Sequence, residues 1–440
     1  MTPLTGSDAT PRYARGVASF SFGAGNAKKL ASLPLYAAGR LLTLVVPRSQ
    51  NRWVFGCAVG IADGALALWQ VATADGRRPV WLVGGDAEAK DAATRGIPIV
   101  RKTSLRGLWL TARAGVVVVT HGFGDVNRYA VSGAFVVQLW HGIPLKRIGL
   151  DSPETLRVPG IVARTPLAGG VHALLRAMYR GAASRIRVIP AASHLVRGRL
   201  ESAFGLPDAR VPVTGEPRTD VLSRGTAEQR RTAARGAISR AVPRAEASTR
   251  FVLYAPTWRD GAPDPAVPSD AEWTRIVETL TRHGATLLVR SHPLGAGDYA
   301  PPFPTDRVQP LGSDLVADVT PLLPGLDALI TDYSSLAFDA SLVPLPVLFL
   351  APDVDEYARR RGFYGRYRDV AGDDWATDWL GVLAQLDEVL GDRTAADRRL
   401  ARSRALSERV HAFRDGRNAE RVYRAILAGL AAAHPTEGHR

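Results

Sequence analysis

Cysteine is nearly missing from this chain: one residue, Cys57, stands alone in 440. That excludes an internal disulfide framework and any cysteine-only zinc site, and a reducing compartment is the expectation. Long apolar runs are missing as well. The most apolar stretches, LLTLVVP at 41–47 and PLPVLFLAP at 344–352, fall far short of the roughly 20 residues that a spanning helix needs. The first thirty residues hold no apolar run of signal-peptide length before a small-residue cleavage site, so neither membrane crossing nor secretion is expected. The sequence contains no GxxxxGK[ST] loop, no GxGxxG after its first strand and no HExxH. No acidic pair is read as the holder of a divalent ion, so neither a metal nor another cofactor is predicted.

What is present is a globular composition. At 46% hydrophobic and 22% charged, with its glycines and prolines scattered, the chain can bury a core along most of its length. The length argues for more than one domain. A formal net charge of +14 asks for an anionic partner, either a phosphorylated substrate, an anionic membrane or nucleic acid. Arginine far outnumbers lysine, so part of that excess reflects coding bias. Zinc-finger spacing and RNP-like aromatic motifs are absent, which argues against nucleic acid.

Residues 1–47 form a polar tail followed by AKKLASLPLYAAGRLLTLVVP at 27–47. This segment is helix-compatible, with two open readings: it lies in a membrane interface, or it is an ordinary amphipathic helix docked on the protein. From 52 onward, RWVFG, PVWLVG, IPIVRK, GVVVVT and AFVVQLW alternate with helical stretches, the pattern of a parallel, doubly wound sheet. A second series, FVLYAPTW, ATLLVRSHP, DALITDYSS and LPVLFLAP, begins at 251. Ser269 and Glu272 form a capping box in this half, and Gly284 is a helix stop. The expected organisation is a tail at 1–47, Rossmann-like domains at 48–214 and 215–400, and C-terminal helices at 401–440.

Ligands of open α/β sheets bind beyond the carboxyl ends of the strands. In this sequence those ends read His141-Gly142, Pro256-Thr257-Trp258-Arg259, Ser291-His292-Pro293 and Thr331-Asp332-Tyr333-Ser334-Ser335. An imidazole there can take a proton from a hydroxyl or stabilise phosphoryl charge, and two of them from different domains point to catalysis. Ser334-Ser335 opens a helix, with hydroxyls and backbone N–H groups suited to phosphate or simply to capping. Lys146, Arg147, Arg218, Arg259 and Arg290 are candidate phosphate partners. His121 also follows a strand, but its Gly-rich loop offers no supporting group.

The series WHGIPLK, GEPRTDVL, LYAPTWR, RSHP, ITDYSSLAFD and DVDEYARRRGFY closely resembles the CDP-glycerol glycerophosphotransferase family of teichoic-acid and capsule synthesis. The resemblance implies a GT-B architecture, two Rossmann-like domains facing a cleft with C-terminal helices that cross back. It implies transfer of glycerol phosphate, or a similar polyol phosphate, from CDP-glycerol or a related CDP-polyol to a hydroxyl of a lipid-linked polyprenyl acceptor, with release of CMP. The enzyme would be cytoplasmic and peripheral, at the inner face of an anionic membrane. Carried over by position, His141 is the general base and His292 contacts the donor phosphates. Thr257, Arg259, Ser291, Thr331, Ser334 and Ser335 bind the donor, and Lys146 and Arg218 supply positive charge. Asp332 and Asp339 position backbone, and Asp220 sits in the linker. The alternative is a GT-B glycosyltransferase using a nucleotide sugar, since one fold serves both. The chain departs from the family pattern at Glu216, at Pro324-Gly325 and at GRYRDVAGDD after Tyr364.

Overall fold

The computed structural model describes residues 32–158, 160–244, 250–259, 263–291 and 299–433. Its first sheet holds β1 (Ser49–Phe55), β2 (Val80–Val83), β3 (Ile99–Arg101), β4 (Ala114–Val119), β5 (Phe135–Gln138) and β6 (Ile186–Val188) in the order β3-β2-β1-β4-β5-β6. All pairings are parallel. The reason lies in the residues: β4 reads AGVVVV and is buried at every position, so it must be covered by helices on both faces. Trp53, Phe55 and Trp81 fill one side of this sheet, and Val54, Leu82 and Val117 the other.

The second sheet contains β7 (Arg250–Ala255), β8 (Ala285–Val289), β9 (Val308–Pro310), β10 (Ala328–Thr331) and β11 (Val347–Phe349) in the order β11-β10-β7-β8-β9, again parallel. It repeats the winding of the first sheet with one strand fewer. Each sheet reverses direction once, between β1 and β4 and between β7 and β10, and these switch points place the loops after those strands at a crevice. The architecture is GT-B. Strands β6 and β9, each three residues long, leave too short an apolar run to be read from sequence.

The capping box is formed, with Glu272 accepting from the Ser269 amide at 2.8 Å. Thr320–Gly325 is a 3-10 helix that contains Pro324, so the proline shortens and tightens a helical turn there without abolishing it. The last helix, Asn418–Ala433, leaves the second sheet and packs Val422, Tyr423 and Ile426 onto the core of the first. Asp220 sets its start, accepting from the amides of Asn418 at 2.8 Å and Ala419 at 2.9 Å. One apolar cluster runs from Trp140 and Phe204 to Phe338 and Tyr367, so the two halves share packed surface as well as a linker.

Candidate active site

Strands β4 and β5 are neighbours, with Val119 opposite Gln138, and each delivers a His-Gly pair just beyond its end. His121 and His141 therefore meet. Their rings lie parallel, 4.2 Å between centroids and 3° between planes. This corrects the reading of His121 as an unsupported loop histidine: the repeated strand-His-Gly pattern was the available signal. Asp125 holds the His121 loop, accepting from the amides of Thr120 at 2.9 Å and His121 at 2.8 Å. The Thr120 hydroxyl lies 2.8 Å from His121 Nδ1.

The His141 turn is strained. Trp140 has φ +63° and Gly142 φ +123°, and a tryptophan in the left-handed region costs on the order of 1–3 kcal/mol. Trp140 is held there by packing edge-on to Phe204, 5.2 Å between centroids. The result aims the imidazole between the domains. Burial is the main force lowering the His141 pKa well below 6.5, with the charges of His121, Arg218 and Lys146 acting in the same direction and the Thr120 backbone opposing them. The ring is neutral at physiological pH. Its Nδ1 is buried with no hydrogen-bond partner among the described residues, whereas the residue as a whole is half-buried.

Facing it is the Ser334-Ser335 turn of the other domain. A Cβ added to Gly142 would fall 2.9 Å from Ser335 Oγ and 3.2 Å from Arg218 Nη1, so only glycine lets these groups approach. Arg218 is buried among carboxylates. It bonds to Asp339, donates to Thr320 Oγ1 at 3.1 Å and pairs with Asp63 at 3.3 Å. Burial alone would lower its pKa, but Asp339 and Asp63 outweigh burial and hold it up. Asp63, at φ +60°, was not singled out from sequence. Glu216 lies in the same cluster, and burial pushes its carboxyl up to about 8.

The remaining expected site residues separate into two sets. Arg259 is 5% exposed and saturated: it donates to Asp353 twice, at 2.8 and 2.9 Å, and to Asp332 at 2.8 Å. Asp332 also accepts from the Thr257 amide at 2.9 Å. The Thr331 hydroxyl is fully buried and donates to the Ala255 carbonyl at 2.7 Å. These groups build the loops of the second sheet from behind. Ser334, Ser335 and Ser291 are half-buried at its open edge. Ser334 Oγ accepts from the amide of Leu336, the first residue of the short helix Leu336–Ala340, at 3.2 Å. Lys146 lies with its Nζ 5.9 Å from the centre of the Tyr357 ring. Arg290 donates to the carbonyls of Leu311, Val316 and Ala317, a structural use. His292 lies outside the described residues.

An Asp-x-Asp pair does occur, at Asp353 and Asp355, and the structure gives its members separate work. Asp353 is committed to Arg259, while Asp355 lines a different cavity. Among the described residues, no three His, Cys, Asp or Glu side chains converge as a metal-ligand group.

Comparison with known proteins finds a matching family and several relatives. The model of the family described as CDP-Glycerol:Poly(glycerophosphate) glycerophosphotransferase matches residues 42–428. A teichoic acid glycerol-phosphate transferase of Staphylococcus aureus (strain NCTC 8325 / PS 47) is 25% identical over 343 residues, 75% of this chain and 80% of that one. A teichoic acid poly(glycerol phosphate) polymerase of Bacillus subtilis (strain 168) is 28% identical over 277 residues, and the match spans 34% of its length. A solved structure of the wall teichoic acid polymerase TagF superposes with a TM-score of 0.68 at 20% identity, covering 93% of this chain and 97% of that one. The last likeness establishes the shared fold.

Proposed function

The chain belongs to the CDP-glycerol:poly(glycerophosphate) glycerophosphotransferase family, and from that premise we propose a mechanism, an acceptor and a location. The protein is an enzyme that transfers glycerol phosphate from CDP-glycerol in wall teichoic acid synthesis. The acceptor is the terminal hydroxyl of a lipid-linked precursor. Neutral His141 takes the proton of that hydroxyl as its oxygen bonds to the β-phosphorus. The bond from that phosphorus to the bridging oxygen breaks, and CMP departs with the electron pair. A general base of this kind contributes about 10²–10⁴ in rate. Ser334, Ser335 and Ser291 line the open edge where the pyrophosphate binds, and His292, which lies outside the described residues, is assigned to the donor phosphates by its place in the RSHP motif alone. Lys146 and Arg218 set the positive field in which the phosphoryl charge develops. Arg259, Thr257 and Thr331 hold the donor loops in shape.

The single observation that carries this reading is the juxtaposition of His141-Gly142 with Ser335 across the cleft. The test is CMP release from CDP-glycerol by purified protein, with and without a short glycerol-phosphate acceptor. Acceptor-dependent release is expected, and it should fall at least 100-fold in His141→Ala with the circular dichroism spectrum unchanged. Turnover within a few-fold of the parent would remove His141 from the chemistry. Release from a nucleotide sugar with CDP-glycerol inert would overturn the donor.

The enzyme works at the cytoplasmic face of an anionic membrane without crossing it. Among the described residues, no helix is long and apolar enough to span a bilayer. The helix Leu33–Val45 instead leaves Leu35, Leu41, Leu44 and Val45 exposed at 55, 66, 73 and 78%. Its neighbour, Leu105–Arg113, exposes Leu105 and Trp109. Leu42 and Leu108 anchor the two helices on the core beneath. Part of the 27–47 segment, residues 27–31, lies outside the described residues. Apolar side chains of this kind enter the headgroup boundary while arginines face anionic lipid. Flotation with phosphatidylglycerol vesicles should be lost in a Leu41→Ser/Leu44→Ser variant; unchanged flotation would refute the role of this helix.

A further inference from the structure

A cavity of about 480 Å³ lies between the stretch that follows the His141 turn and the segment 354–375. Arg147, Arg359, Arg361, Arg366 and Arg368 line it, and Asp355 is its one acid. Arg366 and Arg368 pair with Asp369 and Asp373. All four partners are accessible to solvent, so these pairs hold little energy and can be exchanged for another anion. Neither Arg147 nor Arg359 has a carboxylate partner among the described residues. Arg147 and Arg359 leave positive charge at the hollow that an entering anion can neutralise, and the planar fork of arginine matches phosphate oxygens.

The cavity is joined to the active site by backbone. Arg147 follows His141 by six residues, which puts its Cα within roughly 20 Å of the base even if the chain were fully extended. The intervening stretch is fixed: the Arg147 amide donates to the Gly362 carbonyl at 3.0 Å and the Tyr364 amide to the Leu145 carbonyl at 2.9 Å. On the other side Tyr357 stacks on Tyr333 of the donor loop, 4.0 Å between centroids. One wall therefore belongs to the base-bearing domain and the rest to the donor domain, and a ligand there bridges the two.

We propose that this cavity is a second phosphate site, binding a phosphodiester of the acceptor chain some units back from the attacking hydroxyl. The proposal rests on the transferase reading above. It makes the enzyme sensitive to acceptor length: a chain with several phosphodiesters spans from His141 to the arginines, whereas an acceptor with one repeat does not reach them. A membrane phosphate could satisfy the same chemistry, and the experiment separates the two sources.

The test compares the parent with Arg359→Glu and with Arg359→Gln/Arg366→Gln; both positions are exposed, and the neutral pair guards against a folding defect in the reversal. Steady-state kinetics use a single-repeat acceptor and a soluble oligo(glycerol phosphate) of several repeats. The expected result is a tenfold or larger rise in KM for the oligomer, with KM for CDP-glycerol and for the single-repeat acceptor within twofold of the parent. An unchanged KM for the oligomer, or an equal rise for both acceptors, overturns the proposal. Equilibrium dialysis of the labelled oligomer, without CDP-glycerol, tests the cavity independently of turnover. Loss of binding in both variants supports the site even if no CMP release is found, an outcome that would fault only the transferase reading; undiminished binding overturns the site. Variants that keep the oligomer but lose phosphatidylglycerol vesicles assign the cavity to headgroups and overturn the acceptor assignment.

Discussion

Glu216 offers a direct test of the electrostatics at the domain junction. Its carboxyl is 2% exposed, one oxygen has no partner among the described residues, and Asp339 and Asp63 stand nearby with Arg218. Burial raises its pKa from 4.5 to about 8, with the two aspartates adding to the rise and Arg218 opposing it. In this state the folded protein holds a proton that the unfolded chain releases above pH 4.5. The stabilising contribution is thus complete below pH 4.5 and drains away as pH rises, until it is lost above the folded value near 8. At 1.36 kcal/mol per pH unit, the difference reaches about 5 kcal/mol as a ceiling. Glu216→Gln replaces the protonated acid with a neutral group of the same shape and removes this proton from the linkage. Urea unfolding at intervals from pH 5 to 9 should show the parent losing stability relative to the variant as pH rises. By pH 8 the variant should be more stable by several kcal/mol. Parallel stability curves would mean that Glu216 is ionised in the fold, and that Arg218 neutralises it in preference to Asp63 or Asp339.

Three further outcomes follow from contacts already described. His121→Ala removes a ring stacked on His141 and opens that imidazole to water, so the His141 pKa rises; the acidic limb of the kcat/KM profile should move to higher pH, and an unmoved limb would make the stacking incidental. Asp220→Ala leaves two buried amides at the start of Asn418–Ala433 without acceptors. The loss should be about 2–3 kcal/mol, read as a fall in Tm, and a change below 0.5 kcal/mol, roughly the smallest loss expected for a removed cap, would show that the helix is held by packing alone. Arg259→Lys forfeits the paired bonds to Asp353 and the contact with Asp332. A loss of about 3 kcal/mol should appear in urea unfolding, and if CDP-glycerol affinity collapses with stability intact, Arg259 contacts the donor directly.

The strands of both sheets, β6 and β9 excepted, were legible because a strand buried on both faces must be apolar at nearly every position, as in AGVVVV at 114–119. His141, Ser334 and Ser335 were legible for a related reason: a polar group placed where such a run stops lies at the crevice edge. The capping box at Ser269 was also legible in the sequence. It could not show which polar groups at strand ends turn outward. Arg259 and Thr331 sit at the same kind of position as Ser335, yet they face inward, because Asp332, Asp353 and the Ala255 carbonyl leave buried charge and acceptors that need donors.

Pairings between distant segments were decided by tertiary structure alone. His121 meets His141 only because β4 lies beside β5, and strand order is not written in either loop. Asp63, the Glu216–Arg218 turn and Asp339 come from three separate elements and form one cluster because both sheets end at the same junction. The arginines of the second cavity look from sequence like solvated charge on a helix; packing against the stretch after His141 turns them into a hollow. Local chemistry fixes what a residue can do, whereas the positions of its partners depend on the packing of elements far apart in the chain.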